Sequence, residues 1–145
     1  MPHTLPSNLC TPLKNFALKL NTSTILRIST AALILPHGIA KLSHGTAFIS
    51  QMLTKAGLPA SLAPLVLIGE IVAPLMLIIG FQSAIAGAIL AINMLFAITL
   101  VHSDQLFSLS NTGGLALELQ YLYLILSLLI SIDALKSTPT PTTAP

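Results

Sequence analysis

Charge is what this sequence has least of. Six Lys or Arg and four Asp or Glu make up 7% of its 145 residues, where a soluble domain carries about a quarter. So few charges cannot coat a globule of this size, which excludes a surface made for water. The net charge of +2, with no basic run, excludes nucleic acid as a partner. The single cysteine, Cys10, excludes an internal disulfide and any cysteine-built metal site. It reads as an ordinary free thiol, because a reactive one needs an electropositive pocket. Neither GxSxG nor GxxxxGK occurs, so nothing supports a nucleophilic hydrolase or a phosphate loop. Gly113-Gly114 opens a helix in this reading, and two glycines alone make no anion site.

What fills the chain instead is apolar: 54% of residues are hydrophobic and the mean hydropathy is +0.89. Apolar surface on this scale must face lipid, and the length allows one domain. The fold class is therefore all-α, an integral membrane four-helix bundle over residues 22–135. Residues 1–21 hold Pro2, Pro6 and Pro12 with Lys14 and Lys19, and read as an irregular N-terminal arm. Phe16, Leu18 and Leu20 give its end a short interfacial turn. The first helix is expected over 22–42, capped by Thr22 or Ser23. It carries Arg27 and has no small-residue cleavage site, so it reads as a permanent anchor rather than a signal peptide.

A polar loop over 43–61, with Gly45, Gly57 and Pro59, leads to a second helix over 62–80. Ser61 is its expected cap, and Pro64 falls in its first turn, where proline is tolerated. From Ile71 to Ser103 no Asp, Glu, Lys or Arg occurs, a stretch too long for one crossing of a core that takes about 20 helical residues. Gly80-Phe81-Gln82-Ser83 supplies the break, and the third helix follows over 83–102. Its small residues Ala84, Gly87, Ala88 and Ala91 let another helix approach closely. A loop with Asp104, Asn111, Gly113 and Gly114 precedes the fourth helix, over 115–135. The tail 136–145 is almost wholly Ser, Thr, Pro and Ala and reads as disordered. Four crossings put both termini on one side, with Lys14, Lys19 and Lys136 against Lys41 and Lys55 opposite. The positive-inside rule places that side in the cytoplasm, and Arg27 can snorkel to it.

Polar groups inside the apolar helices carry the functional signal, since each costs roughly 2.5–3.5 kcal/mol at a helix centre. Helix one reaches His37 near its outer end. Helix two reaches Glu70 roughly 12 Å from its start at 1.5 Å per residue. Helix three ends at His102, and helix four carries Glu118 in its first turn. Four helices thus offer two imidazoles and two carboxylates to the outer half of the bundle. Pro74 has no N–H to give the carbonyl of Glu70, so a carboxyl group and a freed carbonyl fall at one point. Pro36 likewise frees the carbonyl of Ala32, and Gly38 makes a bend at His37 plausible. His37, Lys41 and His44 share one helix face, with Arg27 roughly 40° from Lys41 on the wheel. The candidate intramembrane polar site is therefore Arg27, His37, Lys41, Glu70, His102 and Glu118.

Structural readings compete with this one. Glu70 paired with Arg27 or Lys41 serves equally well as an ion pair that fixes helix register. His102 can sit in the interface, Glu118 can be solvated, and His3 and His44 read as solvent-facing. A haem between helices needs two histidines at one depth. Only His37 and His102 qualify, and His102 lies at the membrane edge, which argues against haem. Histidine with carboxylate can hold a divalent metal, but no spacing such as HExxH occurs.

The order Leu26-Arg27-Ile28, His37-Gly38 with Lys41-Leu42, Gly57-Leu58-Pro59, Gly69-Glu70, Gly80 and His102 resembles the DoxX family of small bacterial four-helix membrane proteins. Gly113-Gly114 with Glu118 and Ser131-Ile132-Asp133 continue the resemblance, which spans about residues 24–134. Leu128-Leu129-Ile130 stands where that family places Gly-Pro-Gly, so no role carries over to Asp133. The resemblance implies a multi-pass protein of the bacterial inner membrane, linked to quinone-dependent redox systems. A quinone fits the dry space between the helices, where Glu70 and the histidines could exchange protons with a quinol, and a redox enzyme subunit is the partner that the resemblance implies. The alternative it leaves open is a non-catalytic membrane anchor or partner of a soluble oxidoreductase, working through loops 43–61 and 103–114. A small-solute carrier is a third, and needs a water path past Glu70.

Overall fold

A computed structural model describes residues 21–111 and 113–137. The expected arm up to residue 20, Cys10, His3 and the tail beyond residue 137 lie outside the described residues.

The chain is an all-α membrane bundle. Four helices are long and apolar enough to cross a bilayer: Thr22–His44, Ala60–Ile79, Ser83–Val101 and Glu118–Ser137, of 23, 20, 19 and 20 residues. At 1.5 Å per residue these lengths match a hydrocarbon core about 30 Å thick. Their outward faces are apolar: Leu33, Ile79, Ile85 and Ile125 are each about half exposed or more.

Helix α1 (Thr22–His44) begins at Asn21, whose side chain accepts a hydrogen bond from the Thr24 N–H at 3.3 Å. That cap precedes the expected Thr22 or Ser23, because an asparagine oxygen reaches the third amide as well as a hydroxyl does. Pro36 stays inside α1. The segment expected as a polar loop contains helix α2 (Ala47–Lys55). Phe48, Ile49, Met52 and Leu53 recur at helical spacing along it, so one face has something to pack against.

The second span is irregular. It starts as a 3₁₀ turn at Ala60–Leu65 behind Pro59, with no side-chain cap, so Ser61 does not cap it. It widens into a π turn at Ile68–Val72 and closes as helix α3 (Ala73–Ile79). Pro74 stands just beyond the widening. An α-helix there would leave the Glu70 carbonyl without a donor, and the chain instead bonds Ala73 N–H to the Ile68 carbonyl, five residues back. Helix α4 (Ser83–Phe96) continues the third span and ends in a second π turn, Ala97–Val101.

Residues 108–116 fold on themselves, with the Ser110 N–H bonded to the Gly114 carbonyl at 2.7 Å and the Ala116 N–H to that of Ser108 at 2.9 Å. That closed turn holds Gly113 and Gly114, so they do not open a helix, and α5 (Glu118–Ser137) starts three residues later than expected. Tyr121 donates to the Leu106 carbonyl at 2.7 Å and ties the turn to α5.

Ala31 and Ile34 of α1, Ala73 and Leu77 of α3, Ala86, Leu90 and Met94 of α4, and Ile130 of α5 form the core. The small residues of α4 do bring a neighbour close. A Cβ added at Gly87 would stand 2.8 Å from the Ser127 carbonyl oxygen and 2.9 Å from the Ser131 nitrogen. Ser131 donates across the same seam to the Ala84 carbonyl at 2.8 Å, one of the interhelical hydrogen bonds that substitute for water in lipid.

Candidate functional site

The packed face of α1 is set by Ala31, Ile34 and Gly38, all buried. Gly38 is the closest approach: a Cβ there would meet the Glu70 carbonyl oxygen at 2.5 Å. The carbonyl that Pro74 deprives of a donor is thus pressed onto a residue without a side chain. Lys41, one turn on from Gly38, then faces the Glu70 carboxylate and forms an ion pair with its Oε1. The carboxylate side chain is 5% exposed and the lysine 32%. The pair therefore has one partner in the protein interior and one at its edge.

Beside this pair lies a cavity of about 550 Å³, within the range of small-ligand sites, about 300–1,000 Å³. Four parts of the chain enclose it. The apolar face of α2 forms the roof with Phe48, Ile49, Met52 and Leu53. The second span contributes Leu62 to Glu70, and α4 with its π turn contributes Ile89 to His102. Lys41 closes the end. Only Lys41, Glu70, Asn93 and His102 bring polar functional groups to this wall. Leu65, Ile92 and Phe96 line it and are each more than half exposed at 54%, 55% and 53%. The rim is therefore apolar and opens on the flank of the bundle, the side that meets acyl chains.

Both π turns border the cavity. Each inserts one residue into its helix turn, which re-aims the side chains that follow, and such turns recur at functional sites. The first positions Glu70 and the second precedes His102. Gly69 lets Asn93 pack directly against the second span, since a Cβ at 69 would overlap the Asn93 side chain. Two polar atoms in this wall are buried with no hydrogen-bond partner among the described residues, Glu70 Oε2 and Asn93 Nδ2.

Of the six candidates, the structure gathers Lys41, Glu70 and His102 around the cavity and puts the other three elsewhere. Arg27 shares a broad face with Lys41 but lies at the opposite end of α1. There its Nη1 donates to Ser83 Oγ at 2.9 Å and its Nη2 to Thr24 Oγ1 at 3.4 Å. It also packs on Gly80, where the second span ends, so the C-terminal end of a helix sits beside its positive charge. His37 is exposed on the outer surface, because Gly38 rather than His37 faces Glu70. Glu118 is exposed and folds back over Gly114 in the first turn of α5. Among the described residues no three of His, Cys, Asp and Glu come together as metal ligands would.

Asn93 and the roof were not among the sequence candidates. A primary amide in a stretch without charge was the available signal for Asn93. For the roof it was the spacing of Phe48, Ile49, Met52 and Leu53.

A family model for DoxX matches residues 22–103. The matched segment holds the first three spans and every residue around the cavity. No curated protein and no solved structure matches the chain.

Proposed function

The chain belongs to the DoxX family, and from that premise we propose that it is a membrane subunit of a quinone-linked redox system, with the cavity as the site of a quinone or similar lipophilic redox partner. The observation that carries this reading is the wall itself. It is a lipid-side, mostly apolar space of about 550 Å³ whose inner end holds a buried carboxylate with one oxygen unpartnered. Burying such an oxygen without a donor is costly, so the site favours a ligand with an apolar body and a polar head. Lys41 pairs with Glu70 at that end, and His102 places an imidazole, a group suited to proton exchange, on the same wall.

The protein resides in the bacterial inner membrane with both termini in the cytoplasm. Arg27 and Lys136 lie at the end where the chain enters and leaves the bundle, and Lys14 and Lys19 precede it in sequence, against Lys41 and Lys55 at the other end. The basic residues favour that side. A redox enzyme subunit would then dock on the assembled protein.

Binding of a short-chain ubiquinone, oxidised or reduced, to the detergent-purified protein tests the reading. Saturable binding that Glu70→Gln or Asn93→Leu alters is the expected result. No saturable binding of either form overturns it. Co-purification with an oxidoreductase that survives Glu70→Gln but not replacement of 43–61 would favour the anchor reading instead.

A further inference from the structure

The two unpartnered atoms of the cavity wall have opposite character. Glu70 Oε2 belongs to the carboxylate whose other oxygen pairs with Lys41, and as the free oxygen of that ion pair it acts as a hydrogen-bond acceptor. Asn93 Nδ2 can only donate. Their residues are brought together because Gly69, next to Glu70 in the chain, packs directly on Asn93. Neither finds a partner among the described residues. A single ligand atom that served both would have to donate and accept at once, as a hydroxyl does. A ketone oxygen can accept from Asn93 but has nothing to give Glu70.

We propose that the cavity selects the hydroxyl form of its ligand, a lipophilic phenol or quinol, with Glu70 accepting the hydroxyl proton and Asn93 donating to the hydroxyl oxygen. This rests on the reading of the cavity as a lipophile site and adds which redox form it prefers. The two residues divide the work. Asn93 grips the oxygen in either form and sets affinity, whereas Glu70 senses whether that oxygen carries a hydrogen and sets discrimination. The rest of the wall, from Phe48 to Phe96, is indifferent to the redox state because it meets only the apolar body.

Binding of a short-chain ubiquinol, the matching ubiquinone and the O,O-dimethylated quinol to the intact protein in detergent, under anaerobic conditions, separates these roles. The wild type is expected to bind the quinol about ten-fold more tightly than the quinone, one hydrogen bond to a charged acceptor being worth at least that factor. The dimethyl ether should bind no better than the quinone. Asn93→Leu should weaken quinol and quinone alike, about ten-fold each. Glu70→Gln offers an amide that donates as readily as it accepts, and should bring the quinol-to-quinone ratio close to one. Equal binding of quinol and quinone by the wild type overturns the proposal, as does a ratio unchanged in Glu70→Gln, or a dimethyl ether that matches the quinol. Failure of all three compounds to bind would instead remove the lipophile reading on which it stands. The wild-type comparison of quinol with its ether needs no variant and holds even where a substitution fails to fold.

Discussion

The two ends of this bundle handle polar groups in opposite ways. At the end where the chain enters, most polar atoms that interrupt the apolar helices are met by the protein itself. Arg27 bonds to Ser83 and Thr24 and lies over the helix terminus at Gly80. Ser131 bonds across the α4–α5 seam and Ser127 back to the Tyr123 carbonyl at 2.6 Å. Arg27 Nε and Thr30 Oγ1 stay unbonded, but neither residue borders the cavity. At the other end the helices part, two π turns widen them, and the unbonded atoms belong to the wall of the cavity. A polar residue in lipid is thus uninformative by its presence alone. What separates a brace from a binding site here is whether the atoms left unbonded border a space that a ligand can enter.

Substitutions at the two ends should therefore separate stability from ligand binding. The largest effect is expected at the closed seam. Gly87→Val would drive a branched side chain into the Ser127 and Ser131 backbone, and overpacking against backbone should cost about 3 kcal/mol or more. Reversible unfolding in mixed micelles would show it as a collapse of the folded fraction.

Next comes Lys41→Met, which strands the Glu70 carboxylate. Breaking a fully buried pair costs about 3–5 kcal/mol, and because Lys41 is partly exposed we expect about 2–3 kcal/mol here. Adding Glu70→Gln to it should recover most of that loss. A double variant no more stable than Lys41→Met would mean the pair does not carry the strain assigned to it.

Arg27→Met should cost about 1–2 kcal/mol through the lost Ser83 bond and helix-end contact, while ubiquinol affinity stays as in the wild type. A change in affinity would erase the distinction between the ends. The smallest effect belongs to Ser131→Ala, about 0.6 kcal/mol for one interhelical hydrogen bond, resolved by the same unfolding measurement.

The spans were legible in the sequence because lipid imposes one simple demand. Apolar stretches of the right length, separated by Gly80-Phe81-Gln82-Ser83 and by the Asp104–Gly114 loop, leave few alternatives. That Glu70 would pair with a cation was legible, since a buried carboxylate must find one, but the choice of Lys41 over Arg27 was not. The rest of the site was obscured by two geometric ambiguities. A helical wheel gives direction without depth: Arg27 and Lys41 share a face yet are about 21 Å apart along the axis. And one position along a helix turns the side chain by about 100°, so placing the packed face at His37 instead of Gly38 reversed the histidine's surroundings. Gly38 was chosen by its lack of a side chain, which a search for chemical groups passes over. Helix α2 was hidden for another reason. Its polar residues Ser50, Gln51, Thr54 and Lys55 alternate with the apolar ones and mask them as a run, and only the spacing shows a covered face.

The partial exposure of Lys41 gives the cavity two neighbouring phases. Its ammonium group touches the buried carboxylate on one side, while Leu42, Ser43, His44 and Gly45 beyond it are all exposed. The ion pair thus stands between the exposed end of α1 and the apolar opening at Leu65, Ile92 and Phe96. The proposed ligand would enter from the flank and meet, at Glu70, a charge anchored from the opposite side.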